Sequence, residues 1–196
     1  MDNAIVGGHW AGRYAYVNGY YHAALVLARS ALGNEPQDLL FYPICYNYRH
    51  CVELHLKTMV LEAEALHAAL EKLGEGVDDL VVKPKKMMER HSLSSLLKWL
   101  EKALAIFSDE KMDPEVRKAI LELDRFDFDG QAFRYESRND GSLTMPDQAH
   151  IDVRNLMDRM KRVHFHLAGI DLWMADRREM ALAFVADLTP DYSDYY

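Results

Sequence analysis

Only two cysteines occur in this 196-residue chain, Cys45 and Cys51, and both fall within one apparently helical stretch. They sit too close together on that helix to close a sound disulfide, and without Cys-x-x-Cys spacing they make a poor zinc set. A reducing, cytoplasmic setting without covalent staples is the expectation. The opening segment "MDNAIVGGHWAGRY" has no basic region followed by an apolar core. No uninterrupted apolar run approaches the roughly 20 residues of a spanning helix. Secretion by the usual signal and a membrane location are therefore not expected. Gly-x-Ser-x-Gly is missing, as are Walker and Rossmann glycine patterns, so serine hydrolysis and nucleotide use through a known loop have no foothold. Internal repeats and low-complexity tracts are absent. Positive charge is in deficit: the net charge is -8, so any contact with nucleic acid requires a local basic patch rather than general attraction.

What remains is a chain 49% hydrophobic and 28% charged, long enough to bury one core, and residues 1–196 read as a single domain. Hydrophobic periodicity predicts five or six helices packed as an all-α, antiparallel bundle. "RYAYVNGYYHAALVLARSALG" places Tyr16, Tyr20, Ala23, Ala24, Leu27 and Ala31 at three-to-four spacing and ends on a capping Gly33. A second, long helix is expected from Ile44, just after Pro43, to about Leu73, with "NEPQDLL" as a connector. "HSLSSLLKWLEKALAIF" and "EVRKAILELDRF" form two shorter helices, the second entered through Pro114. "DFDGQAFRYESRNDGSLTMP" is rich in turn residues and predicts a loop or small hairpin. The last helix starts near Asp147, with a break expected near Gly169. Residues 188–196 read as a flexible acidic tail with Pro190 discouraging further helix.

Charged residues within the long helix raise the question of chemistry. "YNYRHCVELHLK" contains Arg49, His50, Glu53, His55 and Lys57. At about 100° per residue, Tyr48, Val52, Leu56, Met59 and Ala63 define an apolar stripe with His55 at its edge. Arg49, Glu53 and Lys57 follow at i,i+4 steps as a charge ladder. Arg49 and His55 diverge on the helix and converge only across an interface or a fold-back. On the last helix, Val153, Leu156, Met160, Val163, Leu167 and Met174 form the core face, with His164 inside it. Asn155, Arg159, Arg162 and His166 share a different face. Two arginines supply fixed charge for a phosphate and a histidine of near-neutral pKa can exchange protons, so this set is suited to phosphodiester chemistry.

The order of these elements, with "YNYRHCVELHLKTMVL", "HSLSSLLKWLEKAL" and an Arg- and His-bearing C-terminal helix, resembles the HEPN superfamily. "AFRYESRNDGS" is similar to a Phe-Arg-Tyr plus Asp-Gly segment of some HEPN-like proteins. The likeness spans residues 12 to 175. It implies a homodimeric helical bundle in toxin–antitoxin, antiphage-defence or RNA-processing settings. Nuclease members carry an Arg, four to six residues and a His near the C-terminal end, paired across the dimer, and cut RNA without metal through the 2′-hydroxyl. Arg159 and His166, with Arg162, are the catalytic candidates on that model. Arg49 with His50 and His55, Asn155, and Arg134 are secondary candidates.

Other constellations are thinner. Glu64-x-x-His67 lacks a true second Glu-x-x-His, only Asp147-x-x-His150 approaching it, so neither a metal nor another cofactor is expected. Phe133-Arg134-Tyr135 suits either stacking on a base or clamping its loop to the bundle. "KPKKMMER" is a local basic run, Lys83 to Arg90. Two functions are consistent with the whole: a metal-independent endoribonuclease, or a non-catalytic dimerisation module that binds a partner such as a nucleotidyltransferase or an antitoxin.

Overall fold

A computed structural model describes residues 12–33, 36–75, 84–145 and 150–188. Among them the fold is all-α: α1 (Arg13–Gly33), α2 (Gln37–Lys72), α3 (Pro84–Met88), α4 (Leu93–Phe107), α5 (Pro114–Phe126) and α6 (Val153–Leu188). Residues 127–145 carry turns and one isolated antiparallel bridge, Ser137 to Leu143, with Gly141 at φ +83. Trp10, Lys83, Asp147 and the tail from Thr189 lie outside the described residues.

Local chemistry explains most helix ends. The Asp113 side chain accepts from the amides of Glu115 and Val116, ahead of Pro114 in the first turn of α5. Ser92 caps α4 by accepting from the Ser95 amide, and the buried Asp124 takes the Leu93 amide at 2.6 Å. Two expectations are corrected. Helix α2 begins at Gln37 rather than Ile44, with Pro43 inside it. The proline removes one backbone donor near the start of the helix, where Leu39 is exposed and its carbonyl can be hydrated, so the helix continues through it. Helix α6 is unbroken at Gly169. A mid-helix glycine costs about 1 kcal/mol, less than burying the apolar residues on both sides of it, Val163 and Leu167 before and Met174 after.

Helix α2 is the central element. Tyr48, Val52, Leu56, Met59 and Ala63 are all buried, as their shared stripe requires. Helix α1 runs antiparallel to α2 and α6: Tyr14 meets Asp171, Tyr20 meets His50, and Tyr21 meets Tyr48 and His164. The two 36-residue helices α2 and α6 run side by side in the same direction, Cys51 and His55 facing His164 and Glu62 facing Arg178. The buried face of α1 is Val17, Tyr21, Ala24, Ala28 and Ala31, rotated from the expected stripe, and Tyr16 and Ala23 are exposed. Small alanines allow the close approach to α2 and α6, and the aromatic spacing alone fits either face. Outward, Tyr16, Gly19, Ala23, Val26 and Ser30 form an exposed strip without a charge.

Candidate functional site

The charge ladder of α2 exists, but it is buried. Arg49 is 2% exposed and Glu53 4%. Arg49 Nη1 donates to Glu53 Oε2 at 2.7 Å, Nη2 donates to the carbonyl of His91 at 2.5 Å, and Nε donates to the carbonyl of Asp127 at 2.9 Å. The fully buried Asp127 carboxylate lies 3.3 Å from the same Nε, and its other oxygen accepts from the Ala132 amide. Gly130, at φ +77, lies against the guanidinium. The loop after α5 thus wraps an arginine on α2, and every guanidinium nitrogen is engaged. Arg49, buried and bonded through all three nitrogens, holds the structure together.

That clamp positions a histidine. The His91 carbonyl is fixed by Arg49, and the Leu93 amide, two residues on, by Asp124. The His91 side chain, 63% exposed, places Nδ1 2.9 Å from Glu53 Oε1, which also accepts from Lys57 Nζ at 2.8 Å. A carboxylate only accepts, so Nδ1 carries the proton and the Nε2 lone pair is left without a partner among the described residues. A histidine oriented through one nitrogen by a buried carboxylate, with the other nitrogen unbonded, has the arrangement that general-base chemistry requires. The ion pairs to Lys57 and Arg49 outweigh burial and hold the Glu53 carboxyl below its ordinary range. The basic run ends here: Lys85, Lys86 and Arg90 are exposed and immediately precede His91.

Along the same stripe of α2 the charged end gives way to an aromatic one. His50 lies edge-on to Tyr20 at 4.4 Å and parallel to Tyr46 at 5.7 Å. The Arg134 guanidinium lies over Tyr46 at 5.9 Å and over Tyr135 at 5.3 Å, and its Nε donates to the Gly130 carbonyl. Arg134 therefore clamps the loop to α2 while staying exposed, with no carboxylate paired to it among the described residues. His50 joins the two ends: burial lowers its pKa, and it feels Glu53, Arg49, Lys57 and Arg134.

The face predicted on α6 is present but divided. Arg159 is paired with Glu122 of α5 at 2.5 Å and shares with Asn155 a cavity of about 220 Å³ floored by Phe41, Cys45 and Phe133. His166 lines a different cavity, of about 350 Å³, between α4 and α6, and its Nε2 accepts from the Asp113 amide at 3.4 Å. Arg162 is exposed, and both it and His166 act electrostatically on Asp113. Within one chain, Arg162 and His166 gather around Asp113, and Arg159 stands apart on its own carboxylate.

His55 is interior. It is 4% exposed, its Nδ1 has no hydrogen-bond partner, and its ring lies 5.3 Å from His164, which stacks on Tyr21 at 3.9 Å. Burial first, and His164 second, push its pKa down to about 4. Arg49 and His55 do not converge. Cys51, 4.0 Å from His164, is a free thiol whose pKa burial pushes up to about 12, and Cys45 is likewise free and buried. Neither is a nucleophile in that state.

His67, of the Glu-x-x-His unit, lies 3.7 Å from Glu71, and no cluster of three or more metal-ligating side chains occurs among the described residues. No helix there is long and apolar enough to cross a membrane. The residue that sequence reasoning missed is His91. It lies 38 residues from Glu53 at a loop–helix junction, and the Ser92 cap fixes that junction without announcing the partner. Comparison with known proteins finds no matching family model, no matching curated protein and no matching solved structure.

Proposed function

We propose that the chain is a HEPN-like helical protein that binds RNA and cleaves it without a metal, in a toxin–antitoxin, antiphage-defence or RNA-processing setting. The observation that carries this reading is His91, held through Nδ1 by the buried Glu53, beside Lys57 and at the end of the basic run. In the proposed step, His91 Nε2 takes the proton of a 2′-hydroxyl as that oxygen attacks phosphorus. The bond from phosphorus to the 5′ oxygen breaks, giving a 2′,3′-cyclic phosphate and a 5′-hydroxyl. Lys57 offers charge to the crowded phosphorus and a proton to the leaving oxygen. The α6 set, Arg159, Arg162 and His166, is the second location for the same chemistry. It is favoured if a second copy completes it, since in one chain the basic nitrogen of His166 is already accepting a hydrogen bond.

The test is cleavage of varied RNAs in EDTA by the intact chain and by single alanine variants. His91→Ala is expected to lower the rate about a hundredfold or more, the loss of one acid–base group. Equal activity in His91→Ala with loss in His166→Ala moves the site to α6. An inactive wild-type protein leaves the second reading, a non-catalytic module that dimerises or binds a nucleotidyltransferase or an antitoxin. That reading is favoured by the uncharged outer strip of α1 and by exposed Met180, Phe184 and Leu188 near the end of α6.

A further inference from the structure

The aromatic end of the α2 stripe has no part in the proton transfer just described. Tyr46 and His50 precede Glu53 and Lys57 along one line of the helix, with Tyr46 and Lys57 about 16 Å apart at 1.5 Å per residue. Arg134 spans the gap between α2 and the loop, its guanidinium 5.9 Å from the centre of the Tyr46 ring and 5.3 Å from that of the Tyr135 ring. Were this only a loop clamp, Arg134 and Tyr46 would suffice. Tyr135 adds a ring that is 56% exposed, makes no side-chain hydrogen bond, and is backed by a cation. A ring supported on one face and open to water on the other is a stacking surface, and unpaired bases are what stack on such rings beside a backbone-binding cation.

We propose that Tyr135, propped by Arg134 and Tyr46, stacks one unpaired base, so that the substrate class is single-stranded RNA laid along α2 with its sugar–phosphate chain toward Lys57 and His91. The proposal rests on the RNA reading above. Bases inside a duplex are covered by their neighbours, so paired RNA is excluded from this contact. Four cations on the stripe and its loop, Arg49, Lys57, Arg134 and Arg138, face five carboxylates, Glu53, Asp127, Asp129, Glu136 and Asp140, so positive charge is open to a phosphate there only at a cation without a paired carboxylate. The unneutralised charge is that of Arg134, the group touching Tyr135.

The experiment separates binding from cleavage by using a 2′-O-methyl RNA octamer, which cannot attack its own phosphates. Three labelled probes are titrated into the intact chain: the single strand, its blunt duplex, and a base-free 2′-O-methyl ribose-phosphate strand of equal length. The single strand is expected to bind about tenfold more tightly than either, the range given by one stacked base. Tyr135→Ala and Arg134→Lys are expected to bring it down to the base-free level, with Tyr135→Ala leaving thermal stability and base-free binding unchanged. Arg134→Lys keeps the charge but loses the planar group, so it reports on stacking even if the loop loosens slightly. Equal affinity for the intact and base-free strands, wild-type affinity in Tyr135→Ala, duplex binding as tight as the single strand, or no binding of any probe each overturns the proposal. Cleavage of natural RNA without base-dependent binding overturns the stacking alone, and base-dependent binding without cleavage overturns the nuclease reading alone.

Discussion

Gly130 lies against the guanidinium of Arg49, and a Cβ at this position would meet Nη1 at 3.3 Å. The backbone there is in the left-handed region at φ +77, so a side chain meets both backbone strain and a neighbour that four acceptor contacts hold in place. Gly130→Ala is expected to destabilise the fold by about 1–3 kcal/mol. Gly169, in the middle of α6, has nothing within 4 Å of such a Cβ. Gly169→Ala is expected to stabilise by about 1 kcal/mol. Chemical denaturation of both variants checks the opposite signs.

Arg49→Ala removes the guanidinium from a site where Glu53 and Asp127 stay buried. Stranding a buried charge costs about 3–5 kcal/mol, and the 127–145 loop also loses its anchor on α2. A lowered denaturation midpoint together with early proteolytic cutting between Asp127 and Met145 is the expected pair of results. A fully stable Arg49→Ala variant that had lost only activity would instead make Arg49 part of the chemistry.

Acid stability reports on His55. Its pKa falls from an ordinary value near 6.5 in the unfolded chain to about 4 in the fold. The stabilising difference is complete above about 6.5 and is lost as pH falls toward 4, because the unfolded state takes up the proton first, a linkage of about 3 kcal/mol. His164, also lowered by burial, acts in the same direction, while the buried Asp171, whose carboxyl is raised, acts in the opposite one. His55→Leu is expected to flatten the decline between pH 6.5 and 4 measured by urea denaturation. An unchanged decline would assign it to other groups.

The uncharged outer strip of α1 is proposed as the homodimer contact. Ala23→Glu and Val26→Glu place charges on exposed positions of that strip and are expected to leave the fold intact while converting a dimer to a monomer in sedimentation at tens of micromolar. A wild-type monomer at that concentration removes both the dimer and any composite α6 site. Tyr14, on the same helix, is partly committed within the chain, its hydroxyl donating to Asp171 at 2.5 Å.

The sequence by itself determined the five longer helices and most of their inward faces, while the short α3 lies where a loop is expected. Periodicity at 3.6 residues and Pro114 in a first turn are local signals, each read within a few residues of its effect. The i,i+4 spacing of Arg49, Glu53 and Lys57 was likewise enough to pair them. What only the tertiary structure decided was where those charges stand relative to solvent and to residues far along the chain. Arg49 reads as a surface ladder from spacing, yet it is buried because the loop of Asp127 and Gly130 closes over it. His91 becomes a held histidine through Glu53, and Arg159 is taken by Glu122 rather than joined to His166. Helical spacing fixes direction around one axis, whereas burial and partnership depend on which second helix or loop packs against that side.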